Sequence, residues 1–245
     1  LETKFKLKLK DQTWSQSASV PFKRLKIKCR ENLLPLDGNF DPVESRGKHL
    51  NASEWNDLVL DPDTIIVDVR NDYESKIGTF KDSTIPNMKN FTEFPSFVEN
   101  NLKDKKDKKI AMFCTGGIRC EIASSFMIDR GFGEVYQLDG GVLKYLKEVE
   151  QDKNLWEGEC FVFDERVTVN KNLERGDYCQ CFGCRRPLSK IDLQSEHYIK
   201  GVSCDMCYQL SSEEDKSRFA QRQKQIELAE ERGHQHMGMK AKQTR

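Results

Sequence analysis

The sequence predicts an α/β fold. A parallel sheet with helices on both faces is preceded by a pair of strands with one buried face, and followed by a small cysteine-bound module and one helix. Three observations lead there. Short apolar runs at 64–70, 110–113 and 133–138 alternate with helical stretches, the pattern of a parallel sheet covered on both sides. Two C-x-x-C pairs, Cys181/Cys184 and Cys204/Cys207, fall within a stretch with little apolar material of its own. Residues 4–10 and 24–30 alternate strictly between basic and apolar side chains.

Those alternating segments come first in the chain. Phe5, Leu7, Leu9, Leu25, Ile27 and Cys29 would face inward, while Lys4, Lys6, Lys8, Lys10, Arg24, Lys26, Lys28 and Arg30 would share the outer face of one sheet. Eight cations without an acid suit a phosphate backbone; a merely soluble face is the alternative. The chain is neutral, with 40 basic and 40 acidic residues, but residues 1–34 carry a net +6. Two strands alone are marginal, and the chain starts at Leu1 rather than methionine, so a truncated N-terminal unit is expected. Residues 35–50, with Pro35, Gly38, Pro42 and Gly47, read as a linker.

The next unit spans 51–151. Asn51–Trp55 reads as a capped helix start, Thr64–Arg70 as a buried strand and Phe91–Leu102 as a helix. Lys103–Lys109 reads as a charged loop. The strand at 110–113 leads into a cysteine loop and a helix starting near Glu121. A strand at 133–138 ends in Asp139-Gly140-Gly141, before a helix over 142–151. Asp68, Arg70, Cys114 and Asp139 would sit at carboxyl ends of strands, where open α/β sheets place their chemistry, and so form a rim. Residues 152–210 form the cysteine module. Residues 211–233 form a helix with Ser212 as N-cap and Gly233 as its stop, and 234–245 a disordered tail.

Cys114-Thr115-Gly116-Gly117-Ile118-Arg119 is the chemically richest segment. A cysteine in a glycine turn between strand and helix meets backbone N–H groups, the helix dipole and Arg119, all favouring an exposed thiolate. Such a nucleophile can carry sulfane sulfur, attack phosphorus or add to an electrophilic carbon; a turn cysteine that only packs is the alternative. Cys120 is either a resolving thiol or a packed helix cysteine. The distal pairs, Cys181, Cys184, Cys204 and Cys207, have the spacing of a closed structural zinc site, with Cys179 or His197 as weaker substitutes. No GxGxxG or P-loop is present, so no nucleotide cofactor is indicated. No apolar run approaches the ~20 residues that span a bilayer and no signal-peptide pattern opens the chain, so a cytoplasmic protein without a membrane partner is expected.

The segment from about 50 to 150 resembles a rhodanese domain in Asp68-Val69-Arg70, in Cys114-x4-Arg119 with the short loop of sulfur-handling members, and in Leu138-x-Gly140-Gly141. With Arg70–Glu74, Cys114–Cys120, Phe161–Arg166 and the distal cysteines added, the chain resembles the rhodanese-containing tRNA uridine hydroxylases. That resemblance implies O2-dependent conversion of the wobble uridine of tRNA (position 34) to 5-hydroxyuridine, with an electron donor not identified. It makes residues 1–34 the end of a ferredoxin-like domain, Cys114 the catalytic cysteine, Thr115–Arg119 its anion-binding loop, and Asp68 and Arg70 structural or rim residues. A thiosulfate or persulfide sulfurtransferase and a non-catalytic RNA-binding scaffold are the competing expectations.

Overall fold

The computed structural model describes residues 22, 36 and 45–233. The basic segments at 4–10 and 24–30 and the tail at 234–245 therefore lie outside the described residues. At the centre is a four-stranded parallel sheet in the order β1-β5-β4-β2, made of β1 (Lys48–Leu50), β2 (Thr64–Asp68), β4 (Lys109–Phe113) and β5 (Glu134–Leu138). Thr84 extends the β2 edge through main-chain bonds to Ile66 and Asp68.

Period-two alternation in the strands sends side chains to two separate cores. Val67, Ile110 and Met112 pack with Phe94, Phe97 and Val98 of α3 (Phe94–Asn101) and with Ile122, Ala123 and Phe126 of α4 (Ile118–Asp129). Ile66, Ala111 and Phe113 pack the other way. They meet Trp55 of α1 (Ala52–Val59) and Val142, Tyr145 and Leu146 of α5 (Gly141–Glu148). Asn51 caps α1 in a capping box with Glu54, as its sequence predicts.

Three boundaries differ from the sequence reading. The linker over 35–50 ends in β1, whose three residues pair with β5, too short a run to show a period of its own. The helix after the cysteine loop starts at Ile118 rather than near Glu121, because Gly117 takes the left-handed conformation (φ 87°) and caps it directly. Residue 151 is no break in the packing. β3 (Gly78–Phe80) pairs with β6 (Trp156–Gly158), and Trp156, Cys160, Val162 and Val169 belong to the α1/α5 core.

The remaining elements are short. β7 (Cys160–Phe161) pairs with β8 (Thr168–Val169), and β9 (Cys179–Gln180) with β10 (Pro187–Leu188). α6 (Glu213–Glu231) is capped by Ser212, which accepts from the Asp215 N–H at 3.1 Å. It docks on the cysteine module through Arg222, which donates to the carbonyls of Phe182 and Gly201, each at 2.9 Å.

Candidate active site and metal centre

Cys114 follows the last residue of β4, and the six-residue loop to Arg119 closes on the first turn of α4. Its Sγ accepts from the Gly117 N–H at 3.1 Å. The sequence reading placed this thiol in the open, but it is only 2% exposed, because the loop folds inward over it. Burial works against a thiolate here. Donation from Cys120, the Arg119 charge and the N–H groups of Cys120 and Arg119 outweigh it, bringing the Cys114 pKa down to about 6. Cys120 is buried too, and that burial, with the Cys114 charge, raises its pKa well above the usual thiol value.

Only one loop glycine is demanded by local geometry. Gly117 is left-handed, whereas a Cβ on Gly116 would meet nothing within 4 Å. The constraint the loop cannot relax lies across the gap, at Gly141 (φ 67°). A Cβ there would stand 2.5 Å from the Cys114 carbonyl oxygen and 2.6 Å from the Gly117 nitrogen. The start of α5 thus lies directly on the loop, with the N–H groups of Val142 and Leu143 donating to Cys114 and Thr115 carbonyls at 2.9 and 3.1 Å. The Gly140-Gly141 pair marks this close approach.

Arg119 does not point freely at a ligand. Its guanidinium forms a fork on Glu74, Nη1 to Oε2 at 2.6 Å and Nη2 to Oε1 at 2.7 Å. Glu74 is fully buried and also accepts from Thr115 Oγ1 at 3.1 Å and the Asn71 N–H at 3.1 Å. It comes from α2 (Asp72–Ser75), over forty residues earlier, and locks both ends of the loop. Sequence reasoning quoted Glu74 within a motif but gave it no role. Its only local signal is a capping position, which does not reveal a buried carboxylate.

The rim assignment of Asp68 and Arg70 is corrected. Both stand at or just past the end of β2, but they are 0% and 1% exposed. Arg70 Nε and Nη2 donate to Asp68 at 2.8 and 2.6 Å, and Nη2 donates to the Gly78 carbonyl at 2.6 Å. The guanidinium carbon lies 4.9 Å from the Trp156 ring centroid and 5.5 Å from that of Phe113. The buried pair ties β2 to β3 and is shut off from solvent. Asp139, just past β5, pairs with Lys144 at the surface. Ile118 and Gly116 lie on the open side of the loop; Thr115 is buried.

The distal cysteines form a second centre. Cys181, Cys184, Cys204 and Cys207 place their sulfurs within 4.8 Å of one another, with Sγ–Sγ separations of 3.9 Å (181–207), 3.8 Å (184–204) and 3.8 Å (204–207). A tetrahedral ion with metal–sulfur bonds of about 2.3 Å requires edges of about 3.8 Å. The four could therefore hold a metal such as zinc. The two substitutes are placed elsewhere. His197 Nδ1 is 2.8 Å from Asp205 and its ring stacks on Tyr208, and Cys179 lies outside the four-sulfur group.

Residues 51–148 match the model of the Rhodanese-like domain. Solved structures similar to the chain include a rhodanese-related protein from Thermoplasma volcanium, at 22% identity over 41% of this chain and 92% of that one (TM-score 0.34). Another is a rhodanese-like domain protein from Staphylococcus aureus, at 21% identity over 40% and 90% (TM-score 0.33). A third is the rhodanese-like domain of an Anabaena protein, at 18% identity over 45% and 78% (TM-score 0.37).

Proposed function

With residues 51–148 forming a rhodanese-like domain, we propose that this protein is a tRNA-modifying enzyme that hydroxylates wobble uridine at C5 with O2, using the loop sulfur at Cys114. The domain supports sulfurtransferase or related chemistry at a cysteine, and the observation that carries the reading is the Cys114 cradle itself. It holds a thiolate near neutral pH among inward N–H donors, with Arg119 fixed beside it by Glu74. The finer assignment is supported by motifs outside the loop, Arg70–Glu74 and Phe161–Arg166, by the basic outer face predicted for residues 4–30, and by the four-cysteine module. Zinc is the metal we assign to that module. Four sulfurs close its coordination shell, so its role is to fold and position the C-terminal unit.

The chemistry balances as follows. A nucleophilic sulfur at Cys114 adds to C6 of uracil, and the electron pair moves to C5. That carbanion takes up O2 and a proton to give a C5 hydroperoxide. Two equivalents of a thiol reduce it to the alcohol, releasing water and a disulfide. Loss of the C5 proton then expels the sulfur from C6 and restores the ring double bond. Each role is one that a thiolate with a pKa near neutrality fills well, as attacking and as leaving group.

A sulfurtransferase reading shares the loop and is favoured by the burial of Cys114 Sγ: the outer sulfur of a persulfide reaches about 2 Å further toward solvent. Mass spectrometry of nucleosides from tRNA of cells lacking the protein, complemented with wild type or Cys114→Ser, decides between them. Loss of 5-hydroxyuridine-derived nucleosides, restored by wild type alone, supports the hydroxylase. Unchanged nucleosides with Cys114-dependent thiosulfate turnover support the sulfurtransferase.

A further inference from the structure

We propose that Phe163 is a stacking platform for the unpaired pyrimidine presented to the Cys114 loop. This rests on RNA being the substrate, as proposed above, and adds a residue that selects for a base. Phe163 is 63% exposed, although its neighbours Phe161 and Val162 are buried at 2% and 3%. Phe163 thus presents an aromatic ring to solvent next to a buried pair. Its position is defined on the protein side. The Phe161 ring meets it edge-on at 5.1 Å, and the Arg119 guanidinium lies 5.9 Å from its centroid. Phe163 therefore stands beside the residue that closes the cysteine loop. In the loop itself Ile118 is 55% exposed, and a Cβ at Gly116 would meet nothing within 4 Å.

The turn that projects this ring is held rigidly. Asp164 accepts from the Arg166 N–H at 2.9 Å, from Nε at 3.1 Å and from Nη2 at 2.7 Å, and Val162 donates to the Val167 carbonyl at 2.9 Å. Val167 adopts a left-handed backbone (φ 68°), which a β-branched residue takes only when its surroundings enforce it. Here it is buried against Ile77 and Phe161. A pre-set aromatic face suits a flat, π-faced ligand. An unstacked nucleobase has that chemistry, and thiosulfate does not.

The test uses the full chain in the Cys114→Ser background, which prevents turnover. The probes are a short RNA hairpin with a loop uridine and the same hairpin abasic at that nucleotide. The unsubstituted Phe163 protein is expected to prefer the uridine hairpin by roughly the 5- to 150-fold that one base–aromatic stack contributes. Phe163→Ala and Phe163→Leu are expected to abolish that preference, while Phe163→Trp keeps it and shows fluorescence quenching by the uridine hairpin beyond that of the parent. In the Cys114-containing Phe163 variants, alkylation of Cys114 should still titrate near pH 6, showing the loop intact. A base preference that survives in Phe163→Ala and Phe163→Leu, or no preference in the parent, overturns the proposal. Hydroxylation by Phe163→Ala with unchanged KM also sinks the platform while sparing the chemistry. Base preference without Cys114-dependent hydroxylation does the reverse.

Discussion

The two cysteine centres use the same atom in opposite ways. At the distal site four sulfurs converge within 4.8 Å, and two C-x-x-C turns bring them there almost alone. At the loop a single sulfur is surrounded by donors that are not sulfur ligands: the Gly117 N–H, Arg119 and the Cys120 thiol. The first arrangement could share its charge with an ion and would leave no open position on it. The second concentrates negative charge on one atom, the condition a sulfur nucleophile needs. What separates structural from chemical cysteine here is the identity of the partners rather than burial, since Cys114, Cys181, Cys204 and Cys207 are all buried.

The sharpest way to break the comparison is to remove one sulfur from each centre. Cys114→Ser is expected to lower cysteine-dependent turnover by about a thousandfold or more, the usual cost of losing a nucleophile. Its bound metal, measured by elemental analysis, should be unchanged. Cys204→Ser is the mirror experiment. Loss of one of four ligands should release the metal and unfold residues 179–210, visible as increased proteolysis there, because the metal-binding free energy is what folds such a small module. Alkylation of Cys114 should still titrate near pH 6 in that variant, since the two centres lie in separate cores. A shared loss in both variants would mean that the centres are coupled.

A smaller effect tests what holds the loop. Glu74→Gln removes the charge from the fork on Arg119 while keeping its shape. Arg119 is then left almost buried without its counter-ion, a loss expected to destabilise the fold by about 3–5 kcal/mol in chemical denaturation. A loss below about 1 kcal/mol would show that the fork contributes no more than a surface pair.

Legibility follows the same division. The zinc-type site was readable because its geometry is local: the spacing of Cys181, Cys184, Cys204 and Cys207 nearly dictates it. The parallel sheet was readable because the runs at 64–70, 110–113 and 133–138 carry enough apolar residues to require burial on both faces. The cradle was only half readable. Its cysteine, Gly117 and Arg119 are contiguous, but Glu74 arrives from α2 and Gly141 from α5, and no periodicity announces either contact. Asp68 and Arg70 mislead for the same reason. Their position at a strand end is a rim position, and only the packing of Trp156 and Phe113 over Arg70 shows that it is sealed. β1 and β3, three residues each, are too short to carry a pattern.

The gentlest test leaves every residue in place except the loop sulfur and varies pH. An acid whose folded pKa lies below its unfolded value adds stability that is fully present above the unfolded pKa and is lost as pH falls through the folded one. For Cys114 the folded value is about 6, against roughly 8.5 for a free thiol. In that window the unfolded chain holds a proton that the folded chain lacks. The stability of wild type relative to Cys114→Ser should therefore grow as pH rises from about 6 to about 8.5, by at most ~1.4 kcal/mol per pH unit, and be flat on either side. Denaturation curves for the two proteins, under reducing conditions with metal retained, measure the difference directly. The distal sulfurs are common to both and cancel, so a difference that does not vary with pH would place Cys114 among the ordinary buried thiols, like Cys160, which burial pushes up to about 12.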